Sequence, residues 1–169
     1  RQVLCGLQFG VSYALAAAML LTAVLVVLTA IDLDHQFLPD SLTLPLVWVG
    51  LLLNIDNTFV SLESAVLGAA FGYLCLWAVF WLFKIATGKE GMGHGDFKLL
   101  AALGAWFGLA ALPTIVLLSS AVGAFLGVAL IVTGKQDRET PMPFGPFLAG
   151  AGLIHLFYPN VLLTWVTGA

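Results

Sequence analysis

Nine acidic residues are spread over this chain of 169 residues, and they include two groups able to do joint chemistry. Asp96 closes the run Gly91-Met92-Gly93-His94-Gly95-Asp96-Phe97-Lys98, at the mouth of an apolar segment. Asp32, Asp34 and Asp40 lie at the end of another such segment. A carboxylate entering a membrane segment is costly to keep, and such residues are as a rule functional. Two carboxylates that meet in a low-dielectric site cannot both ionise cheaply, so they share one proton. The ionised partner can then activate water, while the protonated one polarises a carbonyl and later protonates the leaving amine. Gly93 and Gly95 fit such a site, since glycines allow a tight turn and close approach of a substrate to Asp96. This pattern points to an intramembrane aspartic protease.

The elements that must position these groups follow from composition. Hydrophobic residues make up 61% of the chain and charged residues 9%. Soluble domains hold about 45–50% apolar residues, so this is an integral membrane protein of packed helices. Apolar segments run from about Val11 to Ile31, Leu42 to Leu53, Ser61 to Phe83, Phe97 to Leu109, Pro113 to Thr133 and Phe144 to Trp165. Residues Arg1 to Phe9 read as a stub or lead-in, and Asp32 to Asp40 as an acidic loop. The expectation is an all-α polytopic membrane protein of about five full transmembrane helices plus an N-terminal stub. The second and fourth segments are shorter than the roughly 20 residues a crossing requires, so they are expected to start in a polar cleft surrounded by protein. Lys84, Lys89 and Lys98 flank one loop, and Lys135 and Arg138 lie in another. The positive-inside rule makes these loops cytoplasmic, and two intervening spans put the acidic loop on the same side. Residues 1–169 read as a single membrane-embedded domain. The opening Arg1 predicts a fragment or a processed product, with no cleavable signal peptide.

Other features carry less chemistry. Cys5 and Cys75 form no CxxC pair, so thiolates build no zinc site, and both read as small buried hydrophobes. Gly68-x-x-x-Gly72, Gly104-x-x-x-Gly108 and Gly123-x-x-x-Gly127 predict close helix packing inside one subunit. Asp40 is equally readable as the cap of the second helix, and Asp34 and His35 as solvated loop residues. His94 reads as a neighbour tuning the site, and His155 as a satisfied packing residue. No basic tract suggests nucleic acid. Two rival readings stand beside proteolysis. In one, Asp32, Asp34, His35, Asp40, His94 and Asp96 hold a divalent cation in a metal transporter or metal-dependent hydrolase. In the other, the acidic groups relay protons in a carrier, for which the sequence offers no repeated halves.

Three blocks carry a family resemblance: Ile31 to Asp40 followed by Leu42-Thr43-Leu44-Pro45, then Thr87 to Ala101, then Pro141-Met142-Pro143-Phe144-Gly145-Pro146-Phe147. In order and spacing the chain resembles the type IV prepilin peptidases of bacterial pilus and type II secretion systems. The resemblance implies a G-x-G-D membrane aspartic endopeptidase of the bacterial inner membrane. Such an enzyme removes a short basic leader from prepilins and pseudopilins at the cytoplasmic face. It implies Asp32 and Asp96 as the catalytic pair, with Asp34, Asp40, Gly93, Gly95 and Lys98 as supporting or substrate-binding candidates. Asp34, Asp40 and Glu90 are expected to attract the basic leader. The proline block resembles the family's late motif and is expected to line the site. No cofactor is implied for proteolysis. Zinc and S-adenosylmethionine are implied only where a parent enzyme carries the family's N-terminal helix and zinc-binding cytoplasmic region, which this sequence lacks.

Overall fold

A computed structural model describes residues 2–88, 93–133 and 143–159, with side chains described from Tyr13 onward except that of Ile131. Six α-helices follow one another: α1 (Gln2–His35), α2 (Asp40–Leu53), α3 (Leu62–Thr87), α4 (His94–Phe107), α5 (Leu112–Val132) and α6 (Gly145–Phe157). No strand occurs among the described residues. Three stretches are long and apolar enough to cross a membrane: Tyr13–His35, Leu62–Thr87 and Leu109–Leu130. By length, the described residues therefore supply three crossing helices rather than the expected five.

Two boundaries differ from expectation, and the second has a plain reason. The N-terminal stub and the first apolar segment form one continuous helix, and that helix runs through Asp32, Asp34 and His35 before it stops. Neither proline nor glycine interrupts residues 31–38, and charge alone does not break the backbone ladder. The helix closes where Gln36 takes a left-handed φ of 51° and its N–H donates to the Asp32 carbonyl at 2.8 Å. Pro39 then prevents continuation and stands as the N-cap of α2.

The core forms around α4. From Leu99 to Phe107 every residue of this helix is buried, as are Asp96 and Phe97. A helix apolar on all sides belongs in the middle of a bundle. Its 14 residues span only about 21 Å, too short for a bilayer core of about 30 Å. It packs chiefly on α3 and α2, with α6 on a further side. The contact with α3 uses the predicted small residues. A Cβ on Gly104 would overlap the Gly68 carbonyl, and one on Gly72 would lie 2.8 Å from the Leu100 carbonyl oxygen. The packing is within one subunit, as the two glycine pairs predict. Gly123 of the third pair faces Phe147 of α6 instead.

The far end of α4 is fixed by Asn54, which the sequence shows only as part of a polar turn. Its amide is fully buried and donates to the carbonyls of Ala105 (2.9 Å) and Trp106 (3.2 Å), two of the unpaired C-terminal carbonyls of α4. Its oxygen accepts from Phe59 N–H (3.0 Å) and Val60 N–H (3.1 Å) at the approach to α3. Ser61 caps α3, accepting from the Ser64 N–H at 3.3 Å. Beside it, the Trp106 indole donates to the Leu46 carbonyl of α2 at 2.9 Å. Asn54→Leu leaves the Ala105 and Trp106 carbonyls buried without this partner, each costing about 1–3 kcal/mol, and removes the acceptor of two half-buried N–H groups. The expected outcome is a drop of 10 °C or more, on the order of the shift such a loss gives a small domain. Thermal unfolding in detergent checks it.

Candidate active site

Asp32 reaches the bundle interior because of its register on α1. Ala17, Leu21, Leu25, Leu28 and Asp32 recur three or four residues apart and form one buried face, with Asp32 4% exposed. Asp34 and His35 fall off this face and are exposed, although both are helical rather than in the expected loop. The sequence does not show this stripe, since nearly every residue from Val11 to Ile31 is apolar; the packing alone separates Asp32 from Asp34.

Asp96 is also 4% exposed and sits in the first turn of α4. Gly93 is the N-cap; it accepts from the Asp96 N–H at 3.2 Å, while its own N–H donates back to the Asp96 carboxylate. Asp96 thus provides the returning half of a capping box rather than the cap itself. A buried carboxylate at this place also faces the positive end of the helix dipole.

The two carboxylates converge on one end of the bundle. Leu38 packs against both Gly95, which precedes Asp96, and Gly145, where a Cβ would also touch the Asp32 carboxylate. The start of α6 completes the site. The Gly145 N–H donates toward the Asp32 carboxylate, and Asp32 Oδ2 is buried without a hydrogen-bond partner. A Cβ on Gly145 would lie 2.5 Å from that Oδ2. The third sequence block therefore contributes a glycine backbone to the pair, a role the sequence left unassigned. Pro141 and Met142 of that block lie outside the described residues, as do Lys89, Glu90, Gly91 and Met92 of the second.

The remaining candidates divide. Asp40 is exposed and pairs with Lys98 at 2.6 Å, tying the start of α2 to the start of α4; Pro39, not Asp40, caps α2. Gly93 has an ordinary extended backbone (φ −75°, ψ 146°), so a tight turn does not explain it. Gly95 is helical, and its missing side chain makes room for Leu38: a Cβ there would lie 2.6 Å from the Leu38 Cβ. His94 is exposed and packs on the rings of Phe80 and Phe97 at 5.0 and 5.6 Å. His155 packs on Phe107 at 5.1 Å, but its buried Nδ1 has no partner, contrary to the expected satisfied residue. Cys75 is an exposed free thiol rather than a buried hydrophobe, and the Cys5 side chain lies outside the described residues.

No three His, Cys, Asp or Glu side chains among the described residues are grouped to hold a metal ion. The six residues of the cation reading are dispersed: Asp34 and His35 point away from the pair, and Asp40 is occupied by Lys98. Zinc, which the resemblance implies only for longer family members, finds no fitting donor set among the described residues.

An apolar cavity of about 400 Å³ opens between α3, α5 and the start of α6. Its lining includes Cys75, Val79, Ser120, Gly123, Phe144 and Phe147. Phe144 and Phe147 bracket Gly145, so the cavity and the carboxylate site share the opening turn of α6.

The sequence profile of the type IV leader peptidase family matches residues 19–128, well over half of the chain. The chain belongs to the type IV leader peptidase family. Within it, the prepilin leader peptidase/N-methyltransferase of Aeromonas hydrophila is 60% identical over 149 residues, covering 88% of this chain and 51% of that protein. The protein of the same name from Pseudomonas aeruginosa is 56% identical over 151 residues, 89% of this chain and 52% of its own length. That from Stutzerimonas stutzeri is 53% identical over 164 residues, 93% of this chain and 57% of its own. The chain spans about half the length of the curated relatives it matches. No solved structure gives a significant match. Membership in this family and three long apolar helices make the chain a multi-pass membrane peptidase-family protein.

Proposed function

We propose that this chain is the membrane-embedded part of an aspartic endopeptidase that removes the basic leader of prepilins, and of type II secretion pseudopilins, at the cytoplasmic face of the bacterial inner membrane. The observation that carries this reading is the convergence of two buried carboxylates from different helices, Asp32 and Asp96, on one end of the bundle in a chain of the leader peptidase family. In this mechanism the pair holds one proton between its members. The ionised carboxylate takes a proton from water, whose oxygen attacks the scissile carbonyl. The protonated carboxyl hydrogen-bonds the carbonyl oxygen, and the tetrahedral intermediate collapses as the amine nitrogen receives a proton. Burial on both sides strengthens these charges relative to water.

The substrate's basic leader stays in the cytoplasm and its apolar segment lies in the bilayer, which sets the scissile bond at the depth of the pair. Exposed Asp34 is free of the helix core and available to a basic leader. In this reading the path of the segment beyond the cut runs through the apolar cavity, whose Phe144 and Phe147 flank Gly145. This path makes Cys75 a reporter. In a Cys5→Ser protein, alkylation of Cys75 by a small maleimide is expected to slow several-fold when uncleaved prepilin is bound to an Asp96→Asn variant. Unchanged labelling would remove the cavity from the substrate path.

Proteolysis in this reading uses no cofactor. S-adenosylmethionine would serve only the methyl transfer that the longer relatives' names include. Cleavage of a prepilin by the detergent-purified protein, with and without EDTA, tests the assignment. Cleavage at the leader junction that resists EDTA is the expected result, and loss of activity to the chelator alone would sink the aspartic mechanism.

A further inference from the structure

The chain between α1 and α2 is only four residues long, and one of them is buried among the groups that carry the carboxylates. Phe37 is 61% exposed, whereas its neighbour Leu38 is 3% exposed. Two glycines from different helices make room for Leu38. A Cβ on Gly95 would lie 2.6 Å from the Leu38 Cβ, and a Cβ on Gly145 would lie 3.2 Å from the Leu38 Cδ1. Gly95 immediately precedes Asp96, and Gly145 is the residue whose N–H is directed at Asp32. The strap is tied at both ends. Its first residue, Gln36, donates to the backbone carbonyl of Asp32 itself at 2.8 Å. Just beyond its last, Asp40 pairs with Lys98, two residues after Asp96.

From this arrangement we infer that Leu38 is a positioning residue, a wedge that sets the spacing of Asp32 and Asp96 by filling the gap between Gly95 and Gly145. The Asp40–Lys98 pair holds the wedge in place from outside. The reasoning is mechanical. Close-packed interiors transmit small shifts, and a wedge in contact with two backbones fixes their separation. A shorter side chain lets the turns bearing the carboxylates relax toward each other or lets water in between them. Either change alters the one distance on which proton sharing depends. The inference rests on the aspartate-pair reading for its catalytic meaning, but the spacing it describes is measurable without catalysis.

Two readouts test it. The first is cleavage kinetics of Leu38→Ala and Leu38→Met, normalised to folded protein. Misplacement by about 1 Å can cost about 100-fold. Leu38→Ala is expected to lower kcat by about 10- to 100-fold with KM within about twofold, and Leu38→Met, similar in volume, to restore most of it. The second is disulfide formation between cysteines placed at the pair, Asp32→Cys with Asp96→Cys, in a background of Cys5→Ser and Cys75→Ser. Its rate is expected to change several-fold on adding Leu38→Ala and to return with Leu38→Met. Should Leu38→Ala not fold, the exchanged pair Asp40→Lys with Lys98→Asp serves instead. Each single change is then expected to lower kcat and shift the cross-linking rate, and the double exchange to recover both.

An unchanged cross-linking rate overturns the inference, as does a loss confined to KM or one explained by the folded fraction. A shifted cross-linking rate with unaltered cleavage separates the cases: Leu38 then spaces the two positions, but the pair is not the site of chemistry, and the catalytic meaning of the wedge falls with it.

Discussion

Asp96→Asn is expected to abolish prepilin cleavage, with a fall of about 1,000-fold or more, while the protein remains folded. Acid and base groups in such sites contribute about 100- to 10,000-fold each. Asparagine is close to isosteric and its oxygen can still accept the Gly93 N–H, so the start of α4 keeps its closing interaction. What it cannot do is hold or release the shared proton. Asp32→Asn is expected to be equally inactive, because each member of the pair has meaning only through the other. Groups that act as a unit lose their effect once, so the double variant is expected to be no slower than either single one. Asp34→Asn, altering an exposed residue on the opposite face of the same helical turn, is expected to retain catalysis and to weaken binding of basic leaders in preference. Single-turnover cleavage with thermal unfolding of each variant checks all four. Substantial activity in Asp32→Asn would hand the partner's role to Asp34 or Asp40 and contradict the buried stripe on α1.

Gly104→Val is expected to prevent stable folding. The first side-chain atom at this position would overlap the Gly68 carbonyl, and the neighbouring contact is the Ala69 nitrogen at 3.0 Å. Both obstacles are backbone, so no rotamer change relieves them. The two helices must separate, and α4 is the buried centre against which α2 and α6 also pack. Overpacking of ordinary cores costs about 1–3 kcal/mol, and a backbone collision at the centre of the bundle falls at or beyond the upper end. Even Gly104→Ala is expected to lower the unfolding temperature markedly. By contrast, Gly150→Ala, inside α6 where a Cβ would meet nothing within 4 Å, is expected to hold or slightly raise it. Yield of monodisperse protein and thermal unfolding in detergent distinguish the pair, and equal behaviour of the two substitutions would reject the packing account.

Much of this was determined by local chemistry. The apolar segments and their order follow from composition and from Pro and Gly placement, which act on the chain residue by residue. Asp96 at the first turn of a short apolar helix stands out because a carboxylate there is costly unless used. The Gly68, Gly72 and Gly104 spacing announced close helix contact because only small residues permit it. The length of α1 was less legible: charge at Asp32 and Asp34 looked like a boundary, whereas backbone hydrogen bonding continues until Gln36 turns left-handed. The choice of Asp32 over Asp34 was not available, because α1 is apolar on nearly every side and only burial picks out the Leu21, Leu25, Leu28 face.

Only the tertiary structure could give Gly145, Leu38 and Asn54 their particular roles. Each acts on a residue far away in sequence through backbone or volume rather than through a distinctive side chain. Gly145 offers an N–H and an absence of Cβ, Leu38 offers bulk of the right size, and Asn54 reaches carbonyls 51 and 52 residues away. Sequence spacing encodes what shares a helix face. It does not encode which helix end meets which, and the convergence of Asp32 and Asp96 on one end of the bundle depends on that meeting.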